Sequence, residues 1–316
     1  MPLSDNTETA KEILGVFKDL AGGPKPGFRP AHAKGLLTSG TFVPSQDART
    51  ISIAPQLNNE STPVIVRFSS STGHPTLPDS DPNGNPRGIA IRFVLATEPR
   101  REHTDVIAHS TPFFPAATPD EALAFFKAVR NAGADPETLN KHIASHPAAQ
   151  AFLAAPKHFP KSFAHEQFYG VNAYKFTNAD GKVTAGRYQI RPVAGLETLD
   201  AETVEGQSSE FLYDGVRQQL SDGQIKYDIV LQLAGPDDNV DDNTAHWPGS
   251  NPTITLGTVT LDALYKGEDA SAAAAEQKYL IFDPVPRVQG IEPTQDPLIG
   301  LRADLYLISG KERRAA

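Results

Sequence analysis

Three short stretches of the chain hold residue types that could do chemistry. In RPAHAKG (29–35), His32 stands between Arg29 and Lys34, just ahead of a predicted strand. An imidazole there could take and return a proton near neutral pH, although a lone histidine is more often a surface or satisfied core residue. In VRFSS (66–70), Arg67 and Ser69 share one face of a strand, because side chains alternate. A hydroxyl such as Ser69 can fix the orientation and tautomer of a nearby imidazole through one hydrogen bond. A buried guanidinium is costly without an anion, so Arg67 is expected either to face solvent or to meet a buried carboxylate. In DPLIGLRADLYLISGKERR (296–314), Arg302 and Tyr306 are four apart and share a helix face. A guanidinium beside a phenol favours the phenolate, a hard anionic oxygen suited to ferric iron. The same spacing also serves an ordinary surface stack of arginine on tyrosine.

The elements that must position these residues follow from pattern. ETAKEILGVFKDL (8–20) carries Ile13, Leu14, Val16 and Phe17 on one helical stripe and ends at Gly22 and Gly23. It reads as an N-terminal arm, residues 1–24, rather than as core. Strands are predicted from about residue 36 onward, at 63–69, 87–94, 168–177, 184–193, 224–234 and 253–261. Asn178–Gly181 (NADG) reads as a hairpin turn. A helical block at 119–155 interrupts the strands, opening on Pro119 and Asp120. In the last segment Leu298, Leu301, Leu305 and Ile308 recur at helical spacing. The pattern implies an α+β fold, an antiparallel barrel with inserted and C-terminal helices, with residues 25–316 as one domain. The acidic run PDDNVDDN (236–243) reads as a solvated loop, since its spacing does not match an EF-hand.

Composition narrows the chemistry. The chain has 316 residues, enough for a sizeable core, and a formal net charge of -9. An acidic chain has no electrostatic footprint for nucleic acid or anionic membranes. There are no cysteines, which excludes disulfides, thiolate catalysis, iron–sulfur ligation and thiolate-bound haem. Met1 is the only methionine. Scarce sulfur suits a protein that meets peroxide, and is equally the outcome of compositional drift. No secretory signal, membrane span or glycine-rich phosphate loop is legible, so a cytoplasmic protein without a nicotinamide site is expected.

Taken in order, several motifs together resemble the catalase superfamily from about residue 20 to the end of the chain. They are RPAHAKG, VIVRFSS, DPNGNPRGIAIRF, DVIAHSTPFF, FYGVNAYKFTNADGK, HWP (246–248) and FDPVPRVQGIEPTQDPLIGLRADLY. The sequence runs only ten residues past Tyr306, and so looks like the short, catalase-related peroxidase branch. The resemblance implies an eight-stranded catalase-like barrel with a haem b inside the barrel wall. It implies Tyr306 as the proximal ligand to iron, Arg302 keeping it ionised, His32 as the distal acid–base and Ser69 bonded to His32. Arg29, Arg67 and Arg313 match arginines that hold haem propionates.

The resemblance has two departures. In DVIAHSTPFF the ungapped match places His109 where catalases carry a distal asparagine, and a one-residue slip would place Ser110 there instead. A histidine there favours peroxidase over efficient dismutation. For the aromatic that packs on the haem, Phe125 and Phe126 both qualify, and Phe125 is taken here. The implied partners are hydrogen peroxide and a small organic reductant, with a homodimer expected. An alternative is a haem enzyme of the same fold acting on fatty-acid or organic hydroperoxides. Related allene oxide synthases have a threonine just before the distal histidine, where this chain has Ala31.

Overall fold

A computed structural model describes residues 6–267 and 269–316. Its centre is a closed antiparallel barrel of eight strands: β1 (Gly35–Pro44), β2 (Thr62–Ser69), β3 (Gly88–Ala96), β4 (Glu102–His109), β5 (Phe168–Tyr169), β6 (Val183–Pro192), β7 (Ile225–Leu233) and β8 (Thr253–Leu264). Each strand pairs with the next, and β8 closes on β1. Closure leaves the ring without an open edge.

Alternation decides which residues face in. Val64, Val66 and Phe68 of β2 and Ile89, Ile91 and Phe93 of β3 belong to the main apolar core. Tyr227, Ile229 and Leu231 of β7 meet them from across the barrel. The opposite parity on β2, with Arg67 and Ser69, therefore lies on the outer wall. Both are nevertheless buried, because helices cover that wall.

The covering layer comes from α1 (Thr7–Leu20), α2 (Pro119–Asn131) and α7 (Pro297–Ala315). Between α2 and β5 come α3 (Pro136–Ser145) and α4 (Pro147–Ala154). The start of α2 is set by Thr118, whose hydroxyl accepts from the Glu121 N–H at 3.3 Å, with Pro119 in the first turn. Ala10 and Ile13 of α1 pack with Ala122 of α2 and Leu298 and Leu301 of α7 in a second apolar cluster. Phe17 meets Phe126 edge-on at 4.7 Å. The first helix is thus a packed wall rather than a free arm, because its apolar stripe would otherwise stand in water.

Two helices are not apparent from periodicity alone: α5 (Phe211–Asp222) and the alanine-rich α6 (Ala270–Tyr279). The segment 168–177, which alternates like one strand, is broken instead into Phe168–Tyr169 and Tyr174–Thr177. The hairpin at Asn178 forms as expected, with its N–H on the Lys182 carbonyl at 3.1 Å and Gly181 at φ +77°. No helix among the described residues is long and apolar enough to cross a membrane.

Candidate active site

A cavity of about 670 Å³ lies between the outer barrel wall and α1, α2 and α7. It is not inside the barrel, whose interior is filled by the core side chains. All nine site residues expected from the sequence line it: Arg29, His32, Arg67, Ser69, His109, Phe125, Arg302, Tyr306 and Arg313.

His32 enters from the loop before β1 with a left-handed backbone, φ +55°. Three contacts hold that unusual conformation. Its N–H donates to the Ser71 carbonyl at 3.0 Å, the next N–H to the Thr72 carbonyl at 2.9 Å, and its own carbonyl accepts from Arg67 at 2.9 Å. The imidazole Nδ1 lies 3.0 Å from Ser69 Oγ, as the spacing on β2 predicted. Burial first, then Arg67, Arg29 and Arg302, push His32 down to about 3, so the ring is neutral at physiological pH.

His109 closes β4, pairing with Gly88 on one side and Tyr169 on the other. Its Nδ1 accepts from the Thr111 N–H at 3.2 Å. Its Nε2 is buried without a partner among the described residues. Burial, then Arg302 and His32, push this ring down to about 3 as well. Ser110 also lines the cavity, but its hydroxyl accepts from the Arg87 N–H at 2.9 Å. The Ser110 hydroxyl keeps its own proton to donate, while His109 Nε2 is the ring atom left without a partner among the described residues.

Arg67 matches neither of its two expected environments. It is 3 % exposed, yet it forms no ion pair with a carboxylate among the described residues. It donates instead to Gln277 Oε1 at 2.9 Å and to the carbonyls of His32 and Ala33. Arg29 donates to the carbonyls of Gln277 and Leu280, and Arg313 to those of Lys278 and Leu280. The end of α6 thus gathers three guanidiniums with carbonyl oxygens alone. Burial, then Arg67 and Arg313, lower Arg29 well below its ordinary value; Arg67 and Arg313 fall to about 10. All three stay charged at neutral pH, and none of them forms an ion pair with a carboxylate among the described residues.

On α7, the Arg302 guanidinium lies 3.4 Å from the Tyr306 hydroxyl. Burial alone would lower Arg302, but Tyr306, Tyr174 and Asp296 outweigh it and hold the group above its ordinary value. Arg302 also donates to Asn172 Oδ1. Asn172 in turn donates to Asp296 Oδ2 at 2.7 Å, and Asn243 donates to Asp296 Oδ1 at 3.3 Å. Asp296 caps α7 through the Leu298 N–H at 2.9 Å. Asn172 and Asp296 were not singled out by sequence reasoning. The Asp-Pro pair at the start of α7 is the signal that marks Asp296; nothing local marks Asn172.

Phe125 is 3 % exposed and contacts Phe126, Phe152 and His142, so it forms cavity wall and helix core at once. Phe126 lines the same wall between Phe17 and Phe114.

Known proteins with this arrangement are consistent. The profile of the catalase family matches residues 27–315. A catalase-related peroxidase of Mycolicibacterium paratuberculosis is 34% identical over 295 residues, covering 92% of this chain and 91% of that one. A catalase-related peroxidase of Synechococcus elongatus is 31% identical over 311 residues, covering 96% and 88%. Among solved structures, a fungal catalase superposes with a TM-score of 0.78 at 19% identity, covering 92% of this chain and 60% of that one. Catalase A from Saccharomyces cerevisiae gives 0.74 at 20% identity, covering 90% and 61%. The chain thus spans about 60% of the solved catalases and nearly the whole of the two peroxidases. Barrel, cavity and family match agree: this chain belongs to the catalase family, and its relatives place it with the short catalase-related peroxidases.

Proposed function

We propose that this oxidoreductase acting on peroxide is a haem b peroxidase that reduces hydrogen peroxide with a small organic reductant and retains weak catalase turnover. The observation that carries the reading is the trio Arg29, Arg67 and Arg313. Two buried arginines, Arg67 and Arg313, and the half-buried Arg29, none in an ion pair with a carboxylate among the described residues, suit a ligand that brings two carboxylates of its own. Haem propionates fit that demand, and the cavity offers a tyrosine oxygen from α7 and apolar walls besides. Tyr306 would supply the oxygen that holds the iron, with the Arg302 guanidinium 3.4 Å from that oxygen. Phe125 would pack against the macrocycle.

Haem, when bound, supplies the redox centre at which the peroxide O–O bond is reduced. The residues of the chain manage the protons. Neutral His32, oriented through Nδ1 by Ser69, has Nε2 free to take the proton of the near peroxide oxygen. The same nitrogen returns it to the far oxygen, which then departs as water. Electrons for the second half come from the organic reductant, or from a second peroxide in the catalase reaction.

The test is to load the purified chain with haem and follow hydrogen peroxide consumption with and without a phenolic donor. Consumption that depends on the donor, with little oxygen release, supports the proposal. Rapid conversion of a lipid hydroperoxide with no donor present would replace it by the hydroperoxide-rearranging alternative. Ala31, on the cavity wall just before His32, offers no hydroxyl for that second chemistry.

A further inference from the structure

We propose that a second cavity, set against the far side of the arginine cluster, is the seat of the reductant, and that it takes an anionic phenol, a flat ring carrying one carboxylate. The proposal deepens the haem reading and rests on it for where the electron goes.

This cavity measures about 450 Å³, within the range of roughly 300–1,000 Å³ usual for small-molecule sites. It lies between the loop before β1, the first half of α5 and the last turns of α6. Arg29 lines both this cavity and the larger one. Gln277 lines this one and bonds Arg67 of the other. Its Oε1 accepts from Arg67 Nε at 2.9 Å, while its Nε2 donates to the Gly35 carbonyl at 2.9 Å. One layer of side chains thus separates the two spaces, and it is the layer proposed to hold the propionates.

The wall charges favour an anion. Lys34 is paired with Asp79 at 2.7 Å and with Glu210 at 2.8 Å, and Arg217 with Asp214 at 2.8 Å. Glu210, the one acidic side chain on this wall among the described residues, is therefore already engaged. Lys278, half-buried in the last turn of α6, forms no ion pair among the described residues. A ligand carboxylate can pair with it without displacing another. The ring has a partner too: Phe28 on the same wall is 48 % exposed, a large apolar face left in water. The chemistry balances with peroxide as the oxidant. Two phenols each lose one electron and one proton to become phenoxyl radicals. One hydrogen peroxide takes both pairs, its O–O bond breaks, and two waters leave. A donor seated here leaves the larger cavity to peroxide, so the two substrates do not compete for one space.

Two readouts test this on the full chain, with 4-hydroxycinnamate and tyramine as probes, one phenol bearing a carboxylate and the other an ammonium. The first is steady-state peroxidase kinetics of the haem-loaded protein. Lys278→Glu should raise KM for 4-hydroxycinnamate roughly tenfold and leave tyramine no worse, as reversal of one charge beside the ligand requires. Phe28→Ala, a change at an exposed ring, should raise KM for both phenols about threefold. The second is calorimetric titration of 4-hydroxycinnamate into the same protein, with a matching loss of affinity expected in Lys278→Glu. Lys278 does not line the larger cavity, so binding there would not respond to this change. An unchanged KM or affinity for 4-hydroxycinnamate in Lys278→Glu would overturn the proposal, as would an equal loss for both phenols. A chain that takes up no haem, yet binds 4-hydroxycinnamate through Lys278, would sink the haem reading and leave the anion site standing.

Discussion

The imidazole of His32 rests on Gly88: a Cβ there would lie 3.0 Å from both Nδ1 and Cε1 of His32 and 2.7 Å from Ser69 Oγ. Glycine at the start of β3 is thus part of the seat of the proposed base. Gly88→Ala should push the ring and its hydroxyl partner apart while leaving the barrel folded. The expected result is a peroxide reaction slowed roughly a hundredfold, with haem uptake and thermal midpoint little changed, as loss of positioned acid–base catalysis requires. Stopped-flow mixing with hydrogen peroxide measures it. An unaltered rate would mean that the His32–Ser69 contact has no catalytic part.

Asn172 joins Asp296 to Arg302 and so bears on Tyr306 from a distance. Asn172→Ala removes that amide and leaves Asp296 Oδ2 and the Arg302 guanidinium each one hydrogen bond short. A destabilisation of about 1–3 kcal/mol is expected, together with a shifted absorption spectrum of the haem-loaded protein. Denaturant unfolding and a spectrum decide it. A spectrum identical to that of the wild type would show that the link does not reach Tyr306.

The arginine trio predicts opposite demands in the two states of the protein. Without haem, Arg67 is a buried charge held by neutral oxygens alone. With haem, it would gain an anion. Arg67→Met should therefore reduce the stabilisation that haem confers by roughly 3 kcal/mol, the usual loss when one partner of a buried pair is removed. Thermal unfolding of loaded and unloaded protein, in parallel, gives the difference. Equal stabilisation by haem in both proteins would place the propionates elsewhere.

The depressed histidines set an acid limit. His32 and His109 lie near 3 in the folded chain, each held down first by burial and then by its charged neighbours. In the unfolded chain both return to about 6.5. Above that pH neither state binds the proton, and stability is independent of these groups. As pH falls from 6.5 towards 3, the unfolded chain binds protons that the folded chain refuses. Each histidine then costs about 1.4 kcal/mol of stability per pH unit. His109→Asn should lose stability less steeply than the wild type between pH 6.5 and 5. Urea unfolding at several pH values checks this, and parallel curves would contradict it.

The site was legible in sequence where its residues sit in short runs. His32 in RPAHAKG, Ser69 two residues after Arg67, and the Arg302–Tyr306 spacing all survive as geometry. The barrel was legible too, since β2, β3, β6, β7 and β8 are rich in β-branched and aromatic residues whose alternate positions supply the core. What escaped depends on contacts between distant segments. Asn172 lies in a run that alternates like a strand, and only the break after Tyr169 turns it towards Asp296, 124 residues later. The cradle for Arg29 and Arg313 is made of backbone carbonyls at the end of α6, which leave no side-chain signature. The packing role of α1 was hidden because its partners, α2 and α7, lie far along the chain.

The central claim is that Tyr306 holds a haem iron in the cavity between barrel and helices. The most direct measurement is the absorption spectrum of the haem-loaded wild type beside that of Tyr306→Phe. A ferric high-spin spectrum in the wild type, lost or altered in the variant, is the predicted result. Identical spectra, or a wild type that stays colourless after haem is supplied, would contradict it.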